Sequence, residues 1–174
     1  ARRLARFDKA PVNIIHKLAF DDSIDVAGPI LQKSQKLESY ALVANVCTKG
    51  QTHLLAISKR EQLEETVTDV LVTRGDQEVV NSVATNSGAR FSDFGFLHMI
   101  KRAEGDSILA EHLGLREDIP RHIFQQLIAK ASDDVRKRLE QERPAMVDQI
   151  KSTMSDVAGE LQSKFGPVSR SYFV

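Results

Sequence analysis

The sequence predicts an all-α fold, organised as a right-handed α-solenoid of stacked antiparallel helix pairs. Two observations predict it. An apolar stripe at helical spacing occurs at four places, and these places are 26, 28 and 28 residues apart. Side chains four, five, eight and nine residues after a starting position lie on one side of a helix. A stripe that recurs at so regular a distance indicates an internal repeat.

Each stripe follows an apolar residue that we call its anchor; the anchors are Leu37, Leu63, Phe91 and Ile119. A pair of helices this short cannot bury its stripe alone, so the units must stack on one another, as HEAT-like and ARM-like repeats do. An ordinary helical bundle is the alternative, but the packing of a bundle does not require its apolar stripes to recur at a constant distance in the sequence. The four stripes are Ala41, Leu42, Asn45 and Val46; Val67, Thr68, Leu71 and Val72; Gly95, Phe96, Met99 and Ile100; and Ile123, Phe124, Leu127 and Ile128.

The helix before each anchor is expected to carry two matching, mostly apolar positions, which lie eleven and seven residues before the anchor. An acid opens three of the units and is expected to cap the first turn of the helix. Between the two helices of the third unit, Gly88 is expected in the left-handed conformation, and Gly75 is expected as a C-cap glycine. The expected helix positions are Val26, Thr52, Val80 and Ile108, then Ile30, Ala56, Ala84 and His112; the acids are Asp22, Asp76 and Asp106.

The chain divides into three parts on this interpretation. Residues 1–20 form a partial leading repeat, residues 21–131 form four helix-pair repeats, and residues 132–174 form C-terminal helices. Pro144 is expected to separate a charged helix from a longer amphipathic one that closes at Gly166-Pro167. That last helix either caps the stack or pairs with material beyond the chain. Because the chain starts at Ala1 and ends on apolar residues, we expect a fragment of a longer protein.

Charge gives no overall preference for a polyanion, since 24 Lys and Arg residues balance 24 Asp and Glu residues. The distribution is uneven, because residues 1–60 hold ten basic and five acidic side chains, whereas residues 61–131 hold seven and twelve. A basic end could bind an acidic partner, and solvated helix faces are the alternative. Residues 1–9 could form an amphipathic turn, a frayed end or a nucleic-acid arm.

Cellular location is constrained by two further features. No apolar run approaches the ~20 residues that cross a bilayer, and no signal-peptide pattern is present. Cys47 is the single cysteine, which excludes an internal disulfide and fits a reducing cytoplasm. It lies within a helical pattern, where we expect a small buried side chain.

No catalytic or metal-binding motif is present, so we expect a protein that is not an enzyme and uses no cofactor or metal. The five histidines lack zinc-like spacing, and no phosphate-binding or nucleophile motif occurs. A catalytic triad assembled in space stays open as an alternative. Basic residues recur near the ends of the units and could line one edge to meet a carboxylate-rich peptide, with solvated helix termini as the alternative. These candidate partner-binding residues are Lys59, Arg60, Arg74, Arg90, Lys101 and Arg102.

Four motifs resemble one bacterial family. They are VAGPIL at 26–31, HLLAISKR at 53–60, RGDQEVVNSVATNSGARFSDFGF at 74–96 and LGLREDIPRHIFQQLIAKASDDVRKRL at 113–139. In this order, over roughly residues 11–139, they resemble the bacterial domain of unknown function 2336 (DUF2336). The resemblance implies HEAT-like helical repeats and brings no catalytic residue with it. Its most recognisable positions, which we assign to cap, turn and anchor roles, are Asp76, Gly88, Ala89, Arg90, Phe91 and Ser92.

The expected function is a protein–protein interaction scaffold that uses the face formed by the second helix of each pair. Nucleic-acid backbone binding by the basic N-terminal part is the first alternative, and a cryptic enzyme is the second. A membrane partner is not expected, and the oligomeric state is open.

Overall fold

In the computed structural model, which describes residues 1–165 (for Phe165 the backbone only), the fold is all helical, as predicted. A short 3₁₀ helix at Leu4–Arg6 precedes eleven α-helices, and no strand occurs in the described part of the chain beyond one isolated bridge between Leu63 and Ala89. The helices are α1 (Val12–Ala19), α2 (Ile24–Lys33), α3 (Ser39–Thr48), α4 (Gln51–Ser58), α5 (Glu65–Arg74), α6 (Gln77–Thr85), α7 (Asp93–Ala103), α8 (Ser107–Gly114), α9 (Arg121–Lys130), α10 (Asp133–Glu142) and α11 (Pro144–Phe165).

Several helices begin where a side chain caps the first turn. Asp76 and Asp106 accept hydrogen bonds from the backbone N–H groups three residues ahead, as predicted, and Ser92 and Ser132 do the same. Asp22 does not: α2 begins without a side-chain cap, and the Asp22 carboxylate pairs with Lys49 instead. The prediction for Asp22 is therefore wrong.

The helices pack in two rows. In one row α2, α4, α6, α8 and α10 each contact the next, and in the other α3, α5, α7, α9 and α11 do so. We call these the first-helix row and the second-helix row. The rows contact each other through successive helices such as α5 with α6 and α7 with α8. The buried side chains between the rows form one continuous cluster.

The stripes after the anchors face this core, as predicted. All four anchors are buried, and fifteen of the sixteen stripe residues are buried as well. Ile128 is the exception and is half-buried. Burial of the same four offsets in α3, α5, α7 and α9 shows that these helices keep one register.

The predicted positions in the first-helix row are only partly correct. Val80, Ile30 and Ala84 are buried, but Thr52 and Ile108 are exposed. The buried sets begin at Leu109 in α8 and at Val79 in α6, which differ in their distance to the following anchor. The reason is the connection to the next helix, which covers 86–92 after α6 but only 115–120 after α8. Because the connection varies in length, the buried residues of the first helix do not lie at a constant distance from the anchor.

Of the two glycine predictions one is correct, since Gly75 is the C-cap of α5, and one is wrong, since Gly88 is not left-handed. Among the described residues only Gly105, just after α7, has positive φ, at +80°. Gly88 is needed for close approach, because an added Cβ would lie 1.7 Å from the Glu61 carbonyl oxygen. Gly75 has φ of −65° and similarly has no room for a Cβ, which would lie 2.5 Å from the Leu71 carbonyl oxygen.

The remaining predictions concern the end of the chain and Cys47. Pro144 starts α11 as predicted, and the first half of α11 buries Val147 and Ile150. Residues 151–164 are all exposed. The predicted helix end at Gly166-Pro167 and the apolar C-terminus lie outside the described residues. Cys47 is exposed rather than buried, because it lies one residue beyond the buried pair Asn45 and Val46 and points away from the stripe.

Candidate partner-binding surfaces

Three of the six basic residues predicted to bind a partner bond to the protein's own backbone. Arg60 follows α4 and is buried, and its guanidinium donates to the carbonyl oxygens of Leu31 (2.5 Å) and Ser34 (2.7 Å) at the end of α2. Burial lowers the pKa of Arg60 from its ordinary value. Its hydrogen bonds satisfy carbonyl groups that a helix C-terminus leaves free.

Arg74 and Arg102 act in the same way in the second-helix row. Arg74 at the end of α5 donates to the carbonyl oxygen of Val46 in α3. Arg102 near the end of α7 donates to the Gly75 carbonyl oxygen at 2.9 Å, at the end of α5. Each arginine therefore ties the end of one helix to the end of the preceding helix in its row.

The other three predicted residues, Lys59, Arg90 and Lys101, are exposed. Partner binding by these side chains stays a prediction. For Arg60, Arg74 and Arg102 the bonds to backbone carbonyls provide a structural role of their own.

Arg116 is the residue that the sequence reasoning missed. Its guanidinium donates to the carbonyl oxygens of Ala84 (3.0 Å), Asn86 (2.9 Å) and Ala89 (2.7 Å), and pairs with the Asp118 carboxylate at 2.8 Å. The signal was present, because Arg116 and Arg60 both lie three residues before an anchor. Arg74 and Arg102 likewise share one position, eleven residues after an anchor.

Exposed apolar side chains are concentrated on the odd-numbered helices. Of the eleven large apolar side chains exposed in residues 1–164, eight lie on odd-numbered helices, one (Ile108) on an even-numbered helix, and two in connections. Contiguous exposed apolar patches are typical of binding sites, whereas single exposed apolar side chains are ordinary. The eight are Val12 and Ile14 on α1, Tyr40 on α3, Phe94 and Leu97 on α7, and Met154, Val157 and Leu161 on α11.

Two aromatic rings stand out on this surface. Tyr40 is 64% exposed and Phe94 is 57% exposed, and each lies three residues after an anchor. The Phe94 ring lies 5.3 Å from His98, and the Tyr40 ring lies 6.0 Å from His16 of α1. Exposed aromatic residues often provide most of the binding energy in an interface.

Other kinds of site receive little support from the geometry. Within residues 1–165, no group of three or more His, Cys, Asp or Glu side chains is arranged to hold a metal ion. No helix in that range combines the length and the apolar composition that crossing a bilayer requires.

Comparison with known proteins gives one match. Neither the curated proteins nor the solved structures contain a match to the chain. A family model described as an uncharacterised protein conserved in bacteria matches residues 26–169. The match begins later and extends further than the resemblance seen in the motifs. Because it covers more than half of the sequence, the chain belongs to this bacterial family, DUF2336.

Proposed function

We propose that the protein is a HEAT-like, right-handed α-solenoid that binds another protein through its second-helix row and catalyses no reaction. The packing of alternate helices into two rows supports the solenoid, since each repeat then contacts only its neighbours. The arginine hydrogen bonds support it independently. Arg74 and Arg102 occupy the same position in successive units, and they donate to the carbonyl oxygens of Val46 and Val72, which both lie nine residues after the preceding anchor.

The observation that carries the binding proposal is the exposure of Tyr40, Phe94 and Leu97 on packed helices of the second-helix row, whereas Ile108 is the one large apolar side chain exposed on the first-helix row in the described residues. In a scaffold with one docking face, that face keeps aromatic and aliphatic side chains that the opposite face lacks. Tyr40 and Phe94 occupy equivalent positions in the first and third units, two helices apart in the row. A partner that spans several units would contact both rings. A reducing cytoplasm, where an unpaired Cys47 is stable, is the location we propose.

Site-specific photo-crosslinking in the bacterium of origin tests this proposal. A photoreactive phenylalanine analogue would replace Tyr40 or Phe94, and matched controls would replace Glu78 of α6 or Lys137 of α10, which are exposed on the first-helix row. We expect one and the same protein to be crosslinked from positions 40 and 94 and to be absent from positions 78 and 137. Equal crosslinking from both rows, or from the first-helix row alone, would overturn the proposed docking face.

A further inference from the structure

Five basic side chains surround a cleft at the N-terminal end of the first-helix row. The cleft has a volume of about 800 Å³ and lies where the short 3₁₀ helix packs on α2. Three of the side chains come from the N-terminal segment, one from the last turn of α2, and one from the residue after α4. We call this site the basic cleft; its cations are Arg2, Arg3, Arg6, Lys33 and Lys59.

None of these five side chains has a partner among the described residues. No hydrogen bond or ion pair joins any of them to another group there, although other cations in the same chain are paired, such as Lys49 with Asp22 and Lys130 with Glu104 at 2.7 Å. Asp25 is the one carboxylate in the described lining of the cleft. Five cations facing one carboxylate leave an excess positive charge, which attracts an anionic ligand.

The floor of the basic cleft determines which anion fits. Ile24, Pro29, Leu55 and Ala56 line it, and each is partly exposed. No aromatic side chain is part of the described lining, so the cleft offers nothing for a nucleic-acid base to stack on. An apolar floor beneath a cationic rim is complementary to a peptide that carries carboxylates on both sides of an apolar residue.

We propose that the basic cleft binds an acidic, amphipathic segment of a partner protein, with carboxylates at the rim cations and an apolar side chain on the floor. This inference rests on the proposed function only in taking the partner to be a protein. The cleft belongs to the first-helix row and to the N-terminal segment, so it is a second surface, separate from Tyr40 and Phe94.

Fluorescence anisotropy with defined peptides tests the chemistry of the cleft. The probe is a short labelled peptide in which Glu and Asp flank Leu. Three comparison probes replace Leu by Ser, replace the acids by Lys, or substitute a labelled DNA duplex. We expect saturable binding of the first peptide, affinity about tenfold weaker without Leu, and no binding of the Lys peptide. Equal affinity with and without Leu, or tighter binding of the duplex, would overturn the assignment to an acidic amphipathic peptide.

Charge reversal then tests the location. Arg3→Glu with Lys59→Glu should weaken peptide binding by about a hundredfold, roughly tenfold for each cation. The control is Lys17→Glu with Lys137→Glu, an exposed pair outside the cleft, which should leave the affinity unchanged. Because the side chains of Arg3 and Lys59 bond to no other described residue, circular dichroism should show both proteins folded.

The outcomes separate this proposal from the docking face. If the cleft variant binds the peptide as tightly as the control, the basic cleft is wrong, whatever positions 40 and 94 crosslink. If the peptide binds the cleft while positions 40 and 94 give no crosslink, the docking face is wrong and the cleft stands.

Discussion

Phe91 lies at the contact between the third and the fourth unit. The side chain is 7% exposed, its ring centre lies 5.0 Å from that of Phe96, and the Arg116 guanidinium lies 4.5 Å above it. Truncation removes a buried ring and a cation–π contact. Phe91→Ala should therefore lower the free energy of unfolding by about 3–5 kcal/mol in a urea titration. Phe94→Ala is the control, and should cost less than about 1 kcal/mol because that ring is exposed.

Similar losses for the two phenylalanine variants would contradict the assignment of Phe91 as a buried anchor. The anchor was predictable, because an apolar residue at a repeating position has few roles other than burial. The exposure of Phe94, three residues later, was not predictable, because it depends on which helix packs beside that position.

Arg116 is expected to respond to a substitution that keeps its charge. A lysine ammonium cannot reach the carbonyl oxygens of Ala84, Asn86 and Ala89 while also pairing with Asp118, because it lacks the planar fork of arginine. Carbonyl groups left without a donor in a buried site are costly. Arg116→Lys should lower the free energy of unfolding by about 2–3 kcal/mol.

The matched control for Arg116 is Arg90→Lys, an exposed arginine nearby in the chain, for which urea titration should show a change within about 0.5 kcal/mol. If Arg116→Lys and Arg90→Lys changed the free energy of unfolding equally, the hydrogen bonds of Arg116 would not stabilise the fold. Such bonds are difficult to predict from sequence. A basic residue at the end of a helix has the same local pattern whether it is solvated, as Lys101 is, or bonded to a carbonyl in the preceding unit, as Arg102 is.

At the scale of single helices, the N-terminus of α8 depends on the ionised form of Asp106. Partial burial disfavours the charged carboxylate, but hydrogen bonds from the Leu109 N–H (3.0 Å) and the Gln77 amide (2.8 Å) outweigh it and lower the pKa of Asp106. A carboxyl whose pKa is lower in the folded state stabilises the fold above its unfolded pKa of about 3.9. That stabilisation is lost as the pH falls through the folded pKa.

We therefore expect Asp106→Ala to lower the free energy of unfolding by about 1 kcal/mol at neutral pH. At acid pH the variant and the original chain should have the same free energy of unfolding apart from other effects of the substitution. Ser132→Ala removes a cap that does not titrate, at the start of α10, and its cost should stay constant over the same range. Both can be followed by urea titration at several pH values. A constant difference for Asp106→Ala would show that its charge is not involved.

Helix positions were more predictable than helix registers. The second helices keep a constant spacing to their anchors, because anchor and helix are joined directly in the chain. The first helices are separated from the anchors by connections of different length, so Thr52 and Ile108, placed in the core by a fixed offset, are exposed. The same limitation applies to α11. Its apolar spacing continues from Ile150 to Leu161, although only the first half has a neighbouring helix to pack on.

The arrangement of the whole molecule predicts uneven local stability. In the solenoid that we propose, each unit is stabilised by the neighbours on either side of it, and α5 to α8 contact a helix on either side in their own row. The last helix, α11, contacts α9 and α10, while its residues 151–164 are exposed on all sides. An isolated helix of that length is only marginally stable in water. We expect local opening to become easier from the middle of the stack toward α11.

Amide hydrogen exchange measures this directly. Protection should be highest in α5 to α8, lower in α10, and close to that of an unfolded peptide over residues 151–164. Leu71→Ala, in the middle of the stack, should reduce protection in the neighbouring helices α3, α6 and α7 more than in α10, because the coupling passes from one unit to the next. A different result would be equal protection from α2 to α10 in the original chain and an equal loss of protection in all of these helices in Leu71→Ala. It would indicate one globular unit that opens as a whole. That result would remove the physical basis for treating the second-helix row as an extended docking face.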